Sequence, residues 1–113
     1  MKISDIQRLL GAELLTKTVN TDQEVFSACG SDMMSDVLAF VKEQGVLLTG
    51  LVNCQVVRTA DMMDMVCVVF VRGKKPSPDI IALAEDCGIA VLATGTKMFE
   101  ACGILYTNGL HRK

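Results

Sequence analysis

Residues Val66 to Val71 read Val-Cys-Val-Val-Phe-Val, an apolar run with no polar residue in it. A strand with one face in water alternates apolar and polar side chains, because successive residues point to opposite faces. A run that does not alternate, and is rich in β-branched residues, has both faces covered, as inside a parallel sheet with helices packed on each side. The run is also far shorter than the ~20 residues that cross a bilayer. The chain is therefore expected to be α/β, a mainly parallel sheet flanked by helices, with Val66 to Val71 as its interior strand.

The remaining segments alternate between short β-rich runs and helical patterns, as in repeated β-loop-α units. Ser4 and Gln7 have capping-box spacing for a first helix over Ser4 to Leu10 that stops at Gly11, and Glu13 to Thr16 forms a brief strand. A strand over Glu24 to Cys29 leads to Ser31 or Asp32 as the cap of a helix. That helix carries Met34, Val37, Leu38 and Val41 on one buried face and exits left-handed at Gly45. Val46 to Thr49 is the next strand. Asn53 then caps a helix with Val56, Val57, Ala60 and Met63 inward, ending near Asp64. After the interior strand, Ser77 and Pro78 open a helix with Ile80, Ile81, Ala84 and Cys87 on its inner stripe, closed by Gly88. Ile89 to Ala93 is a second buried strand. Thr94-Gly95-Thr96 starts the last helix, with Met98, Phe99, Cys102 and Leu105 inward and Gly103 a weak point of roughly 1 kcal/mol. Right-handed crossovers gather the loops after Cys29, Thr49, Val71 and Ala93 at one edge of the sheet, the edge where open α/β sheets bind ligands.

A chain of 113 residues is one domain by size, covering residues 1–113. Half of it is apolar and only 4% aromatic, so the core is aliphatic. With 13 acidic and 11 basic residues scattered along the chain and a net charge of -2, no field is available to hold a phosphate backbone, which argues against nucleic acid. Asp5, Gln7 and Arg8 break any signal-peptide core, so a cytoplasmic protein without a membrane role is expected. Cysteines 29, 54, 67, 87 and 102 are odd in number and form no C-x-x-C pair, giving no disulfide framework and no metal signature.

The order of these units resembles the DRTGG domain family, related in fold to the N-terminal domain of HPr kinase/phosphorylase. The residues that carry the resemblance begin with Leu10-Gly11-Ala12-Glu13-Leu14-Leu15, Ser31-Asp32 before Val37-Leu38, and Val46-Leu47-Leu48-Thr49-Gly50. They continue with Phe70-Val71-Arg72-Gly73-Lys74-Lys75-Pro76-Ser77-Pro78, and with Ala90-Val91-Leu92-Ala93-Thr94 before Met98-Phe99-Glu100. Relatives place a Gly-Asp-Arg-like turn where this chain has Gly50-Leu51-Val52-Asn53, so only Gly50, and Asn53 as a cap, carry over. The resemblance implies a single accessory, regulatory domain without chemistry of its own.

The residues agree. A phosphate-binding loop needs G-x-x-x-x-G-K-[ST], whereas Val68 stands five residues before Gly73 and Lys75 replaces the hydroxyl, so kinase activity is not expected. His111, the sole histidine, lies in the C-terminal tail, which removes the commonest general base and any histidine triad. Asp61, Asp64, Asp79, Glu85 and Asp86 read as solvated helix surfaces or dipole partners. No catalytic residue, metal ligand or cofactor is assigned.

The candidate ligand site is the loop edge: Gly50 and Asn53; Arg72, Gly73 and Lys74; Thr94, Gly95, Thr96 and Lys97. Glycines let backbone approach a ligand, helix N-termini expose N–H groups, and three cations add charge, a set that suits a small anionic metabolite or nucleotide. The alternative is an interaction domain with an empty edge, joining a homodimer or an enzyme subunit. Met62, Met63 and Met65 crowd one helix end and supply an adaptable contact surface. A third reading is a small enzyme or redox sensor using Cys29 or Cys54, each expected at or just before a helix N-terminus that lowers a thiol pKa.

Overall fold

The structure, a computed structural model, describes residues 1–39 and 44–111. Its elements in chain order are α1 (Ile3–Leu10), β1 (Glu13–Leu14), β2 (Ser27–Gly30), α2 (Met34–Leu38), β3 (Gly45–Thr49), α3 (Cys54–Met62), β4 (Cys67–Phe70), α4 (Pro78–Cys87), β5 (Ala90–Ala93) and α5 (Met98–Thr107). The sheet order is β1-β5-β4-β3-β2, which puts β4 in the centre. Strands β2 to β5 are parallel to their neighbours, and β1 runs antiparallel to β5. Every residue of β3, β4 and β5 is buried, as the lack of alternation demands.

Each parallel connection moves one strand in the same direction, and right-handed crossovers then place α2, α3 and α4 on one face. The side chains divide accordingly. Leu47, Val68, Phe70 and Val91 pack with Val37, Val56, Val57, Ala60, Ile80 and Ala84 of those three helices. Val46, Leu48, Cys67, Val69, Ala90 and Leu92 point the other way, onto Ile3, Ile6 and Leu10 of α1 and Ala101 and Leu105 of α5. Three layers result, and the parallel strands carry no reversal of order.

Several local expectations change. The first helix starts at Ile3, with Asp5 accepting from the Lys2 N–H at 2.9 Å, so Ser4 lies inside it rather than capping it. The left-handed step before β3 falls on Gln44 (φ 48°), not Gly45, because Gly45 is extended and paired with Ser27. Of the expected α2 stripe, Val37 is buried and Leu38 is exposed, and Val41 lies outside the described residues. The last helix begins at Met98, after Thr94-Gly95-Thr96, and Phe99 is 87% exposed rather than inward. Ala101 and Leu105 define its inner stripe, which turns Phe99, Gly103 and Tyr106 to the outside. Glu85 is not a bare surface charge: it accepts from the backbone N–H of Lys17 (2.6 Å) and Thr18 (3.2 Å) and from the Thr18 hydroxyl, tying the β1–β2 segment to α4. These bonds hold its carboxyl below the usual range, the Thr18 hydroxyl most of all.

Candidate functional site

The carboxyl ends of β2 to β5 meet at one edge, as expected, and the start of β1 joins them because Glu13 pairs with Ala93. The turn after β4 dominates this edge. Lys74 N–H donates to Val71 C=O at 3.2 Å, and the two residues between, Arg72 and Gly73, both take positive φ (61° and 74°). Glycine tolerates that region freely, whereas a residue with a Cβ gives up roughly 1–2 kcal/mol there. The turn is held by its neighbour: Arg72 N–H donates to Thr96 C=O and Gly73 N–H to Thr94 C=O, each at 2.9 Å. The three amides of this turn are thus consumed by the fold.

The turn separates two regions. On the β5 side is a pocket of about 200 Å³ lined by Gly11, Glu13, Gly73, Lys74, Lys75, Ala93, Thr94 and Gly95. A side chain built at Gly11, Gly73 or Gly95 would meet nothing within 4 Å, so each of these lining glycines has open space beside it. Lys75 Nζ is paired with Glu13 at 2.8 Å, while among the described residues no carboxylate lies within ion-pair distance of Lys74.

On the β3 side Arg72 crosses to Gly50, and its guanidinium fills the space a Cβ on Gly50 would need. Its Nη2 lies 3.9 Å from Asp32 Oδ2. Asp32 Oδ1 in turn accepts from Gly50 N–H at 2.7 Å and from the Thr49 hydroxyl at 3.0 Å. The Gly50 bond, with help from Thr49 and Arg72, holds the Asp32 carboxyl below its usual range. A depressed carboxylate pKa means that the tie is present at neutral pH and is lost as pH falls through the folded-state value.

Of the nine residues read from sequence, Gly73, Lys74, Thr94 and Gly95 line the pocket, and Gly50 and Arg72 sit together across the turn. Thr96 bridges by hydrogen-bonding Thr94, and Lys97 is the N-cap residue of α5. Asn53 caps α3 as expected, its side chain accepting from Val56 N–H at 3.2 Å. Asp32 and the Gly11–Glu13 wall were missed. Asp32 has the residue type of a helix cap, but Met33 is the N-cap of α2 and the Ser31 hydroxyl takes the Met33 N–H at 3.0 Å.

The cysteines divide by environment. Burial pushes the Cys67, Cys87 and Cys102 thiols up, away from thiolate. Cys54 opens α3 and Cys29 lies in β2, as expected, and α2 starts at Met34 rather than directly after the strand. Among the described residues no three His, Cys, Asp or Glu side chains are placed to share a metal ion, and no helix is long and apolar enough to cross a membrane.

No family model and no curated protein sequence matches the chain. Among solved structures it is similar to the CBS and DRTGG domains of the regulatory region of Clostridium perfringens pyrophosphatase, complexed with the activator diadenosine tetraphosphate. The superposition has a TM-score of 0.76 over 92% of this chain, at 21% identity. The chain has a DRTGG-like fold. It spans 45% of the chain it matches. The DRTGG-like architecture agrees with the sequence-based expectation of a mainly parallel sheet between helical layers, and at this identity the likeness concerns the fold.

Proposed function

We propose that this chain is a non-enzymatic regulatory domain that binds a small anionic metabolite or nucleotide at the loop edge and passes the signal to a partner protein. The observation that carries this reading is the β5-side pocket, where open glycine backbone meets Lys74, a cation with no carboxylate within ion-pair distance among the described residues. Its volume of about 200 Å³ is below the roughly 300–1,000 Å³ of sites that enclose drug-sized ligands. One anionic end of a ligand fits inside, and the rest extends over the edge. The similar pyrophosphatase region was solved with a nucleotide activator, which makes nucleotides the first class to test. The odd number of cysteines and the absence of a C-x-x-C pair suit a reducing cytoplasm.

Titration calorimetry with ATP, diadenosine tetraphosphate and pyrophosphate is expected to show saturable binding by at least one of them. Lys74→Ala removes a charge-assisted contact and should weaken it about tenfold or more. Gly95→Val, at a residue with ordinary φ and open space around it, should fill the pocket and abolish binding while the protein stays folded. Equal affinity in both variants would remove the pocket from the site, and no binding of any of the three would remove the ligand-sensing reading.

A second reading, a homodimerising interaction domain, draws on β2. Among the described residues this outer strand, Ser27-Ala28-Cys29-Gly30, has β3 as its one strand neighbour, and it carries neither charge nor proline, the devices that blunt an edge. Phe26, Met33 and Leu38 are exposed nearby in sequence, at 44%, 60% and 42%. The methionine cluster supplies less surface than expected: Met65 is 3% exposed and Met63 packs against the core, leaving Met62 outside. Light scattering should give about twice the 12.2 kDa chain mass, and Ala28→Lys should return it to one chain. A single-chain mass that does not rise with concentration would exclude the dimer.

A further inference from the structure

The β3 side of the edge has the parts of an anion site, with one of the chain's own carboxylates inside it. Gly50 N–H and the Thr49 hydroxyl both converge on Asp32 Oδ1, and the Arg72 guanidinium stands beside Oδ2. An amide donor, a hydroxyl donor and a guanidinium are a set that recognises phosphate or carboxylate oxygens. Asp32 and Arg72 remain about half exposed, at 52% and 49%, so an external anion can reach the cluster from solvent. An ion pair this exposed contributes little to stability. An incoming anion that takes over the Gly50 and Thr49 hydrogen bonds replaces those that Asp32 gives up.

We propose that Gly50, Thr49 and Arg72 form a latent phosphate site that Asp32 occupies in the unliganded protein, and that a phosphate-bearing ligand enters by displacing the Asp32 carboxylate. This rests on the reading of the edge as a ligand site and adds how occupancy would be sensed. Asp32 lies in the segment joining β2 to α2, next to Met33, which is 60% exposed. Releasing its carboxylate removes the two Asp32 bonds to Thr49 and Gly50, while Ser31 N–H stays on Leu48 C=O, so Met33 and the start of α2 can shift as an apolar surface that a partner can contact. Gly50 gains a specific role: its missing side chain leaves the room in which the guanidinium lies.

Inorganic phosphate is the test probe, followed through the backbone amide signals of the full chain by NMR. In Asp32→Ala, phosphate should shift the Gly50 and Thr49 amides with at least tenfold tighter binding than in the unaltered protein. Adding Arg72→Ala to that variant should cancel the gain. Asp32→Asn, which keeps an acceptor for Gly50 N–H without the charge, gives an intermediate response and serves if the alanine variant does not fold. Gly50 and Thr49 amides that respond alike in the unaltered and Asp32 variants overturn the proposal. Failure of the wider ligand reading has a different signature. There the Lys74 and Gly95 amides stay still with every nucleotide, whatever residue stands at 32.

Discussion

Phe70→Ala is expected to lower the unfolding free energy by about 3–5 kcal/mol, a large part of the roughly 5–15 kcal/mol that holds a domain together. Phe70 is fully buried on the central strand, facing α3 and α4, and among the described residues it is the one buried aromatic ring. Its neighbours Leu47, Val68 and Val91 are themselves fixed in sheet registers, so they cannot collapse into the space the ring leaves. Phe99→Ala removes the same atoms from a side chain that is 87% exposed, and should change stability by no more than about 0.5 kcal/mol. Urea denaturation of both variants measures the contrast as a shift in midpoint at unchanged slope. A larger loss for Phe99→Ala than for Phe70→Ala would mean that α5 packs through the face assigned here to solvent.

The two phenylalanines also show where the sequence was legible. Phe70 sits in a run whose lack of alternation has one structural meaning, and β3, β4 and β5 follow from that rule. The last helix offers Met98, Phe99, Cys102 and Leu105 as apolar positions; Leu105 is buried and Met98 and Cys102 pack against the core, while Phe99 turns to solvent. The buried residues are Ala101 and Leu105, the former too small to stand out in a hydrophobic pattern. β1 pairs through only two residues, and nothing in Glu13–Leu14 encodes that its partner is β5 or that the pairing is antiparallel. Gly11 and Glu13 therefore went unrecognised as a wall of the pocket.

At the site, residue types were legible and their directions were not. Glycines and cations do gather at the edge, but Arg72 takes a positive φ and its side chain leaves toward β3, away from Lys74. Asp32 and Asn53 are both good cap residues. Only Asn53 caps a helix, because the Asp32 carboxylate finds the Gly50 amide and the Thr49 hydroxyl across the neighbouring strand. Such long-range choices depend on which strands are adjacent, which local pattern does not record.

Thr94 is the candidate site residue whose role the structure changes most, and Thr94→Val should cost about 1–3 kcal/mol of stability while leaving ligand affinity nearly unchanged. The residue is 4% exposed, and its hydroxyl donates to Leu10 C=O at 2.8 Å. Its oxygen accepts from Thr96 N–H at 3.2 Å and lies 3.1 Å from the Thr96 hydroxyl. A threonine hydroxyl has one proton to give and two lone pairs, so these partners leave nothing to offer a ligand. Valine keeps the shape and strands the Leu10 carbonyl, at the end of α1, without its donor. Thr94→Ser retains the hydroxyl and loses one methyl group, for roughly 0.8 kcal/mol or less. Denaturation curves for the two variants separate the hydroxyl from the methyl, and calorimetry with whichever anion binds the pocket supplies the second readout. A valine variant as stable as the parent but unable to bind would reverse the assignment and make the Thr94 hydroxyl a ligand contact after all.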